Sequence, residues 1–87
     1  MSWSVVLSRQ AVKDTKKIEK AGLKSQTKEL LSLLKENPFK TPPAYEKLLG
    51  NLKGFYSRRI SIKHRMVYSI DTERKIVHIL RLWTHYE

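Results

Sequence analysis

The sequence contains no cysteine, and acidic residues are few, with eight aspartates and glutamates in 87 residues. Without cysteine there is no disulfide, no thiolate nucleophile and no cysteine-based zinc site, which suits a reducing compartment. No apolar run approaches the roughly 20 residues that span a bilayer, and the first residues lack the charged and apolar segments of a signal peptide. We therefore expect a cytoplasmic protein with no membrane association.

Positive charge is what the chain has in excess. Eighteen lysines and arginines against eight acidic residues give a formal net charge of +10. So large a charge on a short chain favours a polyanionic partner, either nucleic acid or an acidic protein. The length predicts a single domain, 1–87, with one modest core, so that a partner or a homodimer interface becomes relevant to its stability.

Hydrophobic periodicity predicts one strand, then two helices, then a meander of three strands. Alternation over 3–8 indicates a short strand whose last residue, Ser8, caps a helix over 9–20 that ends at Gly22. A second helix is predicted over 23–36, and the short link favours an antiparallel helical hairpin. The expected fold class is α+β, with an antiparallel-dominated twisted sheet and the two-helix hairpin packed on one face.

The connection over 37–50 is predicted to be irregular, because its prolines forbid a helix. Long irregular segments in compact domains are often functional. This one delivers a single carboxylate, Glu46, immediately before a basic hairpin predicted over 51–68. A surface ion pair with Lys47 or Lys53 is the alternative role for Glu46, and spacing alone favours it.

Strict alternation of side chains divides the arginines and histidines of the hairpin and of the last strand, 75–83, between two faces. The face left open by the helices is expected to carry Arg59, Arg65, Arg81, Trp83 and His85. The side under the helices is expected to carry Ile60, Ile62, Met66, Ile70, Leu80 and Leu82, with Arg58, His64 and His78 as structural residues. One β-bulge would invert part of this assignment.

Such an open face has the chemistry of an RNA-binding surface, since arginines neutralise phosphates and aromatic rings stack on unpaired bases. RNA cleavage without a metal needs a base for the ribose 2′-hydroxyl proton and an acid for the departing 5′ oxygen. Ordinary pKa values of about 4.3 and about 6.5 make Glu46 the base and His85 the acid. Spacing alone does not show that these two residues meet, and a terminal His85–Tyr86 is more often a frayed end.

Metal chemistry is not expected, because three histidines without a carboxylate at ligand spacing do not form a site. We therefore predict no metal and no cofactor. An arginine on the open face would instead offset the charge that builds on the transition state.

Three motifs carry a family resemblance: the run Glu46–Ile60, the run His64–Tyr68 and the terminal His85–Tyr86. They resemble the Txe/YoeB family of bacterial toxin–antitoxin toxins, whose pattern is roughly P-L-x-x-x-L-x-G-x-[FWY]-S-R-R-I, then H-R-L-V-Y, then a terminal H-Y. The likeness spans the whole chain and is densest from Glu46 onward. It implies the RelE-like fold, with the element order β-α-α-β-β-β.

The resemblance also implies an activity. Such a toxin is a ribosome-dependent, metal-independent endoribonuclease, an mRNA interferase, that cuts mRNA in the A site by 2′-hydroxyl attack and so inhibits translation in the bacterial cytoplasm. By position, Glu46 matches the general base, Arg65 the transition-state arginine and His85 the general acid. Tyr86 matches the residue that orients the substrate, and Arg59 matches a phosphate contact.

Further contacts and partners follow from the same resemblance. The family commonly has a basic residue where this chain has Leu49, so Lys47 and Lys53 are the nearest cations for that phosphate, while Arg81 and Trp83 are expected to extend the substrate surface. The implied partners are the ribosome, mRNA and a cognate YefM/Phd-type antitoxin. The acidic tail of that antitoxin would cover the basic face, and operator DNA would be bound only through the antitoxin complex.

Two other functions stay open at this point. A ParE-like gyrase poison shares the superfamily fold but lacks this acid–base set. A basic module that binds RNA or an acidic protein without cutting it would show salt-sensitive binding and unchanged RNA ends.

Overall fold

The computed structural model describes residues 3–41 and 44–82. Its elements, in chain order, are β1 (Ser4–Leu7), α1 (Arg9–Lys20), α2 (Lys24–Glu36), β2 (Tyr45–Lys47), a short 3-10 helix (Gly50–Leu52), β3 (Tyr56–Arg59), β4 (Arg65–Asp71) and β5 (Ile76–Arg81). These strands form one five-stranded sheet in the order β1-β5-β4-β3-β2. β1 and β5 are parallel and the other neighbours are antiparallel, which confirms the predicted α+β class.

The hydrophobic core lies between the helices and one face of the sheet. Its buried members are Ala11, Ile18, Leu30, Leu34, Ile60, Met66, Tyr68, Val77, Ile79 and Leu82. We call the opposite face, on which Glu46, Ser69 and His78 lie, the open face, because neither helix of the described residues covers it. None of the helices within 3–41 and 44–82 is long and apolar enough to cross a membrane.

Local sequence signals set the bounds of the first helix. Ser8 adopts an extended backbone, and its Oγ accepts the Ala11 N–H at 3.0 Å, as predicted for an N-cap. The same hydroxyl donates to the Leu80 carbonyl at 2.8 Å and so links the helix start to β5. At the other end Gly22 has φ +75°, a conformation that glycine adopts without the steric cost of a Cβ.

Replacing Ser8 by alanine is expected to lower the free energy of unfolding by about 1–2 kcal/mol, because the cap and the Leu80 carbonyl both lose a partner. The urea midpoint should fall while the slope of the transition stays the same. Ser4→Ala, at an exposed position of β1, is the matched control and should change stability little. Equal midpoints for the two variants would contradict the bridging role of Ser8.

Two predictions about the sheet are wrong. The connection before the hairpin is not wholly irregular, since Tyr45–Lys47 pairs with β3 as an edge strand. Ile62 does not pack under the helices, because it lies in the β3–β4 turn, 86% exposed. The turn itself falls where the polar break at Ser61–Lys63 predicts it.

A register irregularity in β5 explains the other misplaced residues. Val67 pairs with Arg81 whereas Tyr68 pairs with Ile79, so Leu80 is one extra residue in β5. Beyond such a bulge strict alternation fails, and here Leu82 lies in the core although Arg81 before it also faces the helices. His78 and Leu80 were predicted to lie under the helices, but His78 is exposed and both line a depression on the open face.

Candidate active site

Glu46 and Arg65 meet on the open face. Glu46 of β2 pairs with Ser57 of β3, which pairs with Val67 of β4, so the three form one row across the sheet. Arg65 precedes Val67 by two positions and therefore points to the same face. Its Nη1 donates to Glu46 Oε1 at 2.8 Å and lies 3.5 Å from Ser57 Oγ. Residues 19 positions apart in the chain thus form a carboxylate–guanidinium pair.

The pair is accessible from solvent. The Glu46 side chain is 68% exposed and that of Arg65 is 25% exposed. Exposed ion pairs contribute only about 0–1 kcal/mol to stability, so Arg65 can exchange the carboxylate for another anion at small cost. Because the Arg65 side chain is largely removed from solvent, the lower local dielectric strengthens the attraction between its guanidinium and a bound anion.

A second arginine stands beside this pair. Arg59 of β3 pairs directly with Arg65 of β4. Like charges opposite each other on neighbouring strands are unfavourable, and an anion between them relieves the repulsion. Lys53, exposed after the short 3-10 helix, lies toward the opposite end of β3 from Arg59. The open face therefore carries two arginines beside Glu46, and Lys53 is a further exposed cation that precedes β3 in the chain.

Two cations predicted for substrate contact lie elsewhere. Lys47 follows Glu46 on β2 and pairs with Tyr56, which packs against the core, so Lys47 is on the helix side. Arg81 Nε donates to Asp14 Oδ2 of α1 at 2.8 Å. The guanidinium of Arg81 thus faces the helical layer, and its predicted place on the open face is wrong. Trp83, His85 and Tyr86 lie outside the described residues.

Arg58 has the structural role predicted for it. It is 1% exposed, its Nε donates to Tyr68 Oη at 2.8 Å, and its Nη2 donates to the Pro38 carbonyl at 2.8 Å. The guanidinium also lies 5.0 Å from the centre of the Tyr45 ring. Burial raises the pKa of Tyr68, and the hydrogen bond from Arg58 offsets only part of that effect. Arg58 is therefore part of the packing and not of the open face.

A depression of about 230 Å³ lies farther along the open face, with Phe55, Ser69 and His78 among its lining residues. The register puts Ser69 beside His78 and His78 beside Val6. Within 3–41 and 44–82, no three histidine, aspartate or glutamate side chains group closely enough to hold a metal ion.

The course of β5 bears on His85. β5 is antiparallel to β4 and Arg81 pairs with Val67, so β5 itself runs toward the end of the sheet that carries Arg65. His85 comes three residues after Leu82, the last described residue.

Comparison with known proteins assigns the family. A model of the ParE toxins of type II toxin–antitoxin systems (parDE) matches residues 5–87. The chain belongs to this toxin family. The toxin is also 37% identical to the toxin YoeB of Escherichia coli K12 over 49 residues, which are 56% of this chain and 58% of that protein. The match thus spans less than two thirds of the curated relative.

Solved structures extend the similarity over the whole toxin. The YoeB dimer of Staphylococcus aureus is 31% identical with a TM-score of 0.80, covering 99% of this chain and all of that one. A heterotetrameric YoeB–YefM toxin–antitoxin complex, also from Staphylococcus aureus, contains a chain that is 30% identical with a TM-score of 0.76 and the same coverage. The predicted resemblance to YoeB-type toxins is confirmed.

Proposed function

We propose that this toxin is a ribosome-dependent, metal-independent endoribonuclease that cuts mRNA in the A site and so inhibits translation. The observation that carries the proposal is the contact of 2.8 Å between Glu46 and Arg65, with Arg59 directly opposite Arg65 on the neighbouring strand. This contact and this pairing support the assignment of a proton acceptor and two phosphate-binding groups to one exposed face.

The proposed reaction is an acid–base transesterification. An incoming phosphate competes with Glu46 for the Arg65 guanidinium, which releases the carboxylate to accept the ribose 2′-hydroxyl proton. The 2′ oxygen attacks the adjacent phosphorus, and the bond to the 5′ oxygen breaks. Arg65 offsets the extra negative charge of the five-coordinate transition state, and Arg59 holds the neighbouring phosphate. The products are a 2′,3′-cyclic phosphate and a 5′-hydroxyl.

The remaining roles belong to the C-terminal residues. In the proposal His85 protonates the departing 5′ oxygen, Tyr86 orients the substrate and Trp83 stacks on a base. The direction of β5 toward the Arg65 end of the sheet supports the role of His85. Lys53 is retained as a phosphate contact. Lys47 and Arg81 are left out because of where their side chains lie.

Partners follow from charge and from the relatives. We propose a cognate antitoxin of the YefM/Phd type whose acidic segment neutralises the basic toxin, as the net charge of +10 favours. The YoeB of Staphylococcus aureus occurs with YefM in a heterotetramer and also as a dimer. We further propose that operator DNA is bound only through the antitoxin complex and that the toxin also forms a homodimer. Because its proposed target is the ribosome, the toxin is expected to act in the bacterial cytoplasm.

Primer extension on mRNA from a translating system, with and without the toxin, tests the activity. The expected result is a new 5′ end inside the A-site codon that appears only when ribosomes are present. Intact mRNA together with a DNA-damage response would instead favour a gyrase poison. Salt-sensitive RNA binding with unchanged ends would favour a non-cleaving module.

Arg65→Lys is expected to slow cleavage of ribosome-bound mRNA about 100-fold, because lysine keeps the charge but loses the planar donor fork. The single-turnover rate at saturating toxin measures this effect. Arg74→Lys, in the exposed β4–β5 turn, is the matched control and should cleave at the unmodified rate. Full activity of Arg65→Lys would remove Arg65 from the mechanism.

A further inference from the structure

Asp14 is a buried charge that the proposed reaction does not use. It lies in the middle of α1, is 0% exposed, and is surrounded in sequence by lysines that point to solvent. A buried carboxylate is costly unless it is paired and hydrogen-bonded. Asp14 meets this requirement with three donors: Arg81 Nε at 2.8 Å, Gln10 Nε2 at 3.1 Å and the Leu82 N–H at 3.2 Å.

Asp14 remains ionised at neutral pH. Burial by itself would raise the pKa of this carboxyl, but the hydrogen bonds from Arg81, Gln10 and the Leu82 N–H outweigh burial and lower the pKa below its ordinary value. The contact with Arg81 is therefore a charge-assisted hydrogen bond at working pH, stronger and more directional than a neutral one.

Two of the three donors are the last described residues of the chain. Arg81 ends β5, where it pairs with Val67, and β1 has already ended opposite Ile79. Leu82 lies beyond the paired strand, and its N–H donates to the Asp14 side chain. The backbone N–H of Leu82, which no strand pairing holds, is thus bound by Asp14.

Stability alone does not account for this arrangement. Replacing a buried ion pair by apolar residues of similar volume is often neutral or stabilising. What a buried, directional pair supplies in addition is a fixed geometry, and catalysis depends on geometry because a displacement of about 1 Å can slow a reaction about 100-fold. His85, the proposed general acid, follows Leu82 by only three residues in the sequence.

We infer that Asp14 is a positioning residue, which with Arg81 fixes the backbone at Leu82, the residue from which the chain continues to His85 and Tyr86. This inference rests on the proposed function, in which His85 is the general acid. Asp14 itself touches neither substrate nor the reacting atoms. It acts through the backbone at Leu82.

Asp14→Asn tests the inference with little change of shape. The asparagine carbonyl still accepts the Leu82 N–H, but the ion pair with Arg81 is lost because the carboxylate charge is gone. The rate constant for cleavage of ribosome-bound mRNA should fall about 10- to 100-fold, while the affinity for the ribosome complex changes less than about twofold. Glu29→Gln removes the same charge from an exposed position of α2 and should leave both quantities unchanged.

A double-mutant cycle separates positioning from a general structural role. If Asp14 acts through His85, then Asp14→Asn should add less than about threefold to the defect of His85→Ala, because the acid is already missing. If the rate defects of Asp14→Asn and His85→Ala multiply in the double variant, the inference is overturned. Arg81→Lys, which keeps a cation for Asp14, should retain more of the cleavage rate than Arg81→Met, and equal rates would contradict it.

Hydrogen exchange tests the arrangement independently of any activity. In Asp14→Ala, which unlike Asp14→Asn leaves the Leu82 N–H without its acceptor, the Leu82 amide should exchange at least about tenfold faster than in the unmodified toxin, with the core strands unchanged. An unchanged Leu82 rate would overturn the inference. If the unmodified toxin fails to cut ribosome-bound mRNA, the proposed function falls while this measurement still decides the role of Asp14. Thermal unfolding of each variant shows whether its fold is intact. If an Asp14 variant has lost structure, the comparison of Arg81→Lys with Arg81→Met decides the inference.

Discussion

The Glu46→Gln toxin is expected to cut ribosome-bound mRNA about 100- to 10,000-fold more slowly than the unmodified toxin, the range that removal of a general base typically costs. Glutamine has the shape of glutamate and still accepts the hydrogen bond from Arg65, but its amide cannot take up the 2′-hydroxyl proton. The quantity to measure is the single-turnover rate at saturating toxin, because it isolates the chemical step from ribosome binding and product release.

The control for this variant uses a carboxylate of the same kind in another place. Glu73→Gln lies in the exposed β4–β5 turn and should cleave at the unmodified rate. Glu46→Gln should also unfold at nearly the same urea concentration, because the exposed pair with Arg65 contributes only about 0–1 kcal/mol. A Glu46→Gln toxin that cuts as fast as the Glu73→Gln control would remove Glu46 from the proposed mechanism.

Much of this candidate site could be predicted from the sequence, because most of it depends on strand alternation. Arg59 and Arg65 share a face, and Arg58 lies on the other, as the period of two requires. Glu46 was predicted to be the base, but on a loop, whereas it lies on the edge strand β2. The three residues of β2 carry no alternating apolar pattern, so only their pairing with β3 makes them a strand.

The features that could not be predicted are those that leave no complete pattern in the neighbouring sequence. Side chains alternate regularly from His78 to Arg81, but after the bulge Leu82 lies in the core although Arg81 before it also faces the helices. A face assignment that counts back from Leu82 therefore puts His78 and Arg81 on the wrong faces. Asp14 does fall on the same helical stripe as the buried Ala11 and Ile18, but that spacing does not show what neutralises a buried carboxylate there. Its partner Arg81 is 67 positions away, and only the folded chain brings the two together.

Arg58→Ala is expected to cause the largest loss of stability, about 3–5 kcal/mol in the free energy of unfolding. The change removes a large buried side chain and leaves Tyr68 Oη and the Pro38 carbonyl without the donor that each now has. The contact with the Tyr45 ring is lost as well. Urea unfolding of the full chain, with the slope compared to detect changes in the unfolded state, measures the effect.

The neighbouring Arg59 supplies a matched control, because it differs from Arg58 only in the face on which it lies. Arg59→Ala should change stability by less than about 0.5 kcal/mol, since Arg59 is exposed and faces the like charge of Arg65. Arg59→Ala should nevertheless cut ribosome-bound mRNA more slowly than the unmodified toxin, because it loses a phosphate contact while its fold is intact. Equal stability losses for the two variants would contradict the division of the sheet into a packed face and a working face, on which the assignment of Glu46 and Arg65 also depends.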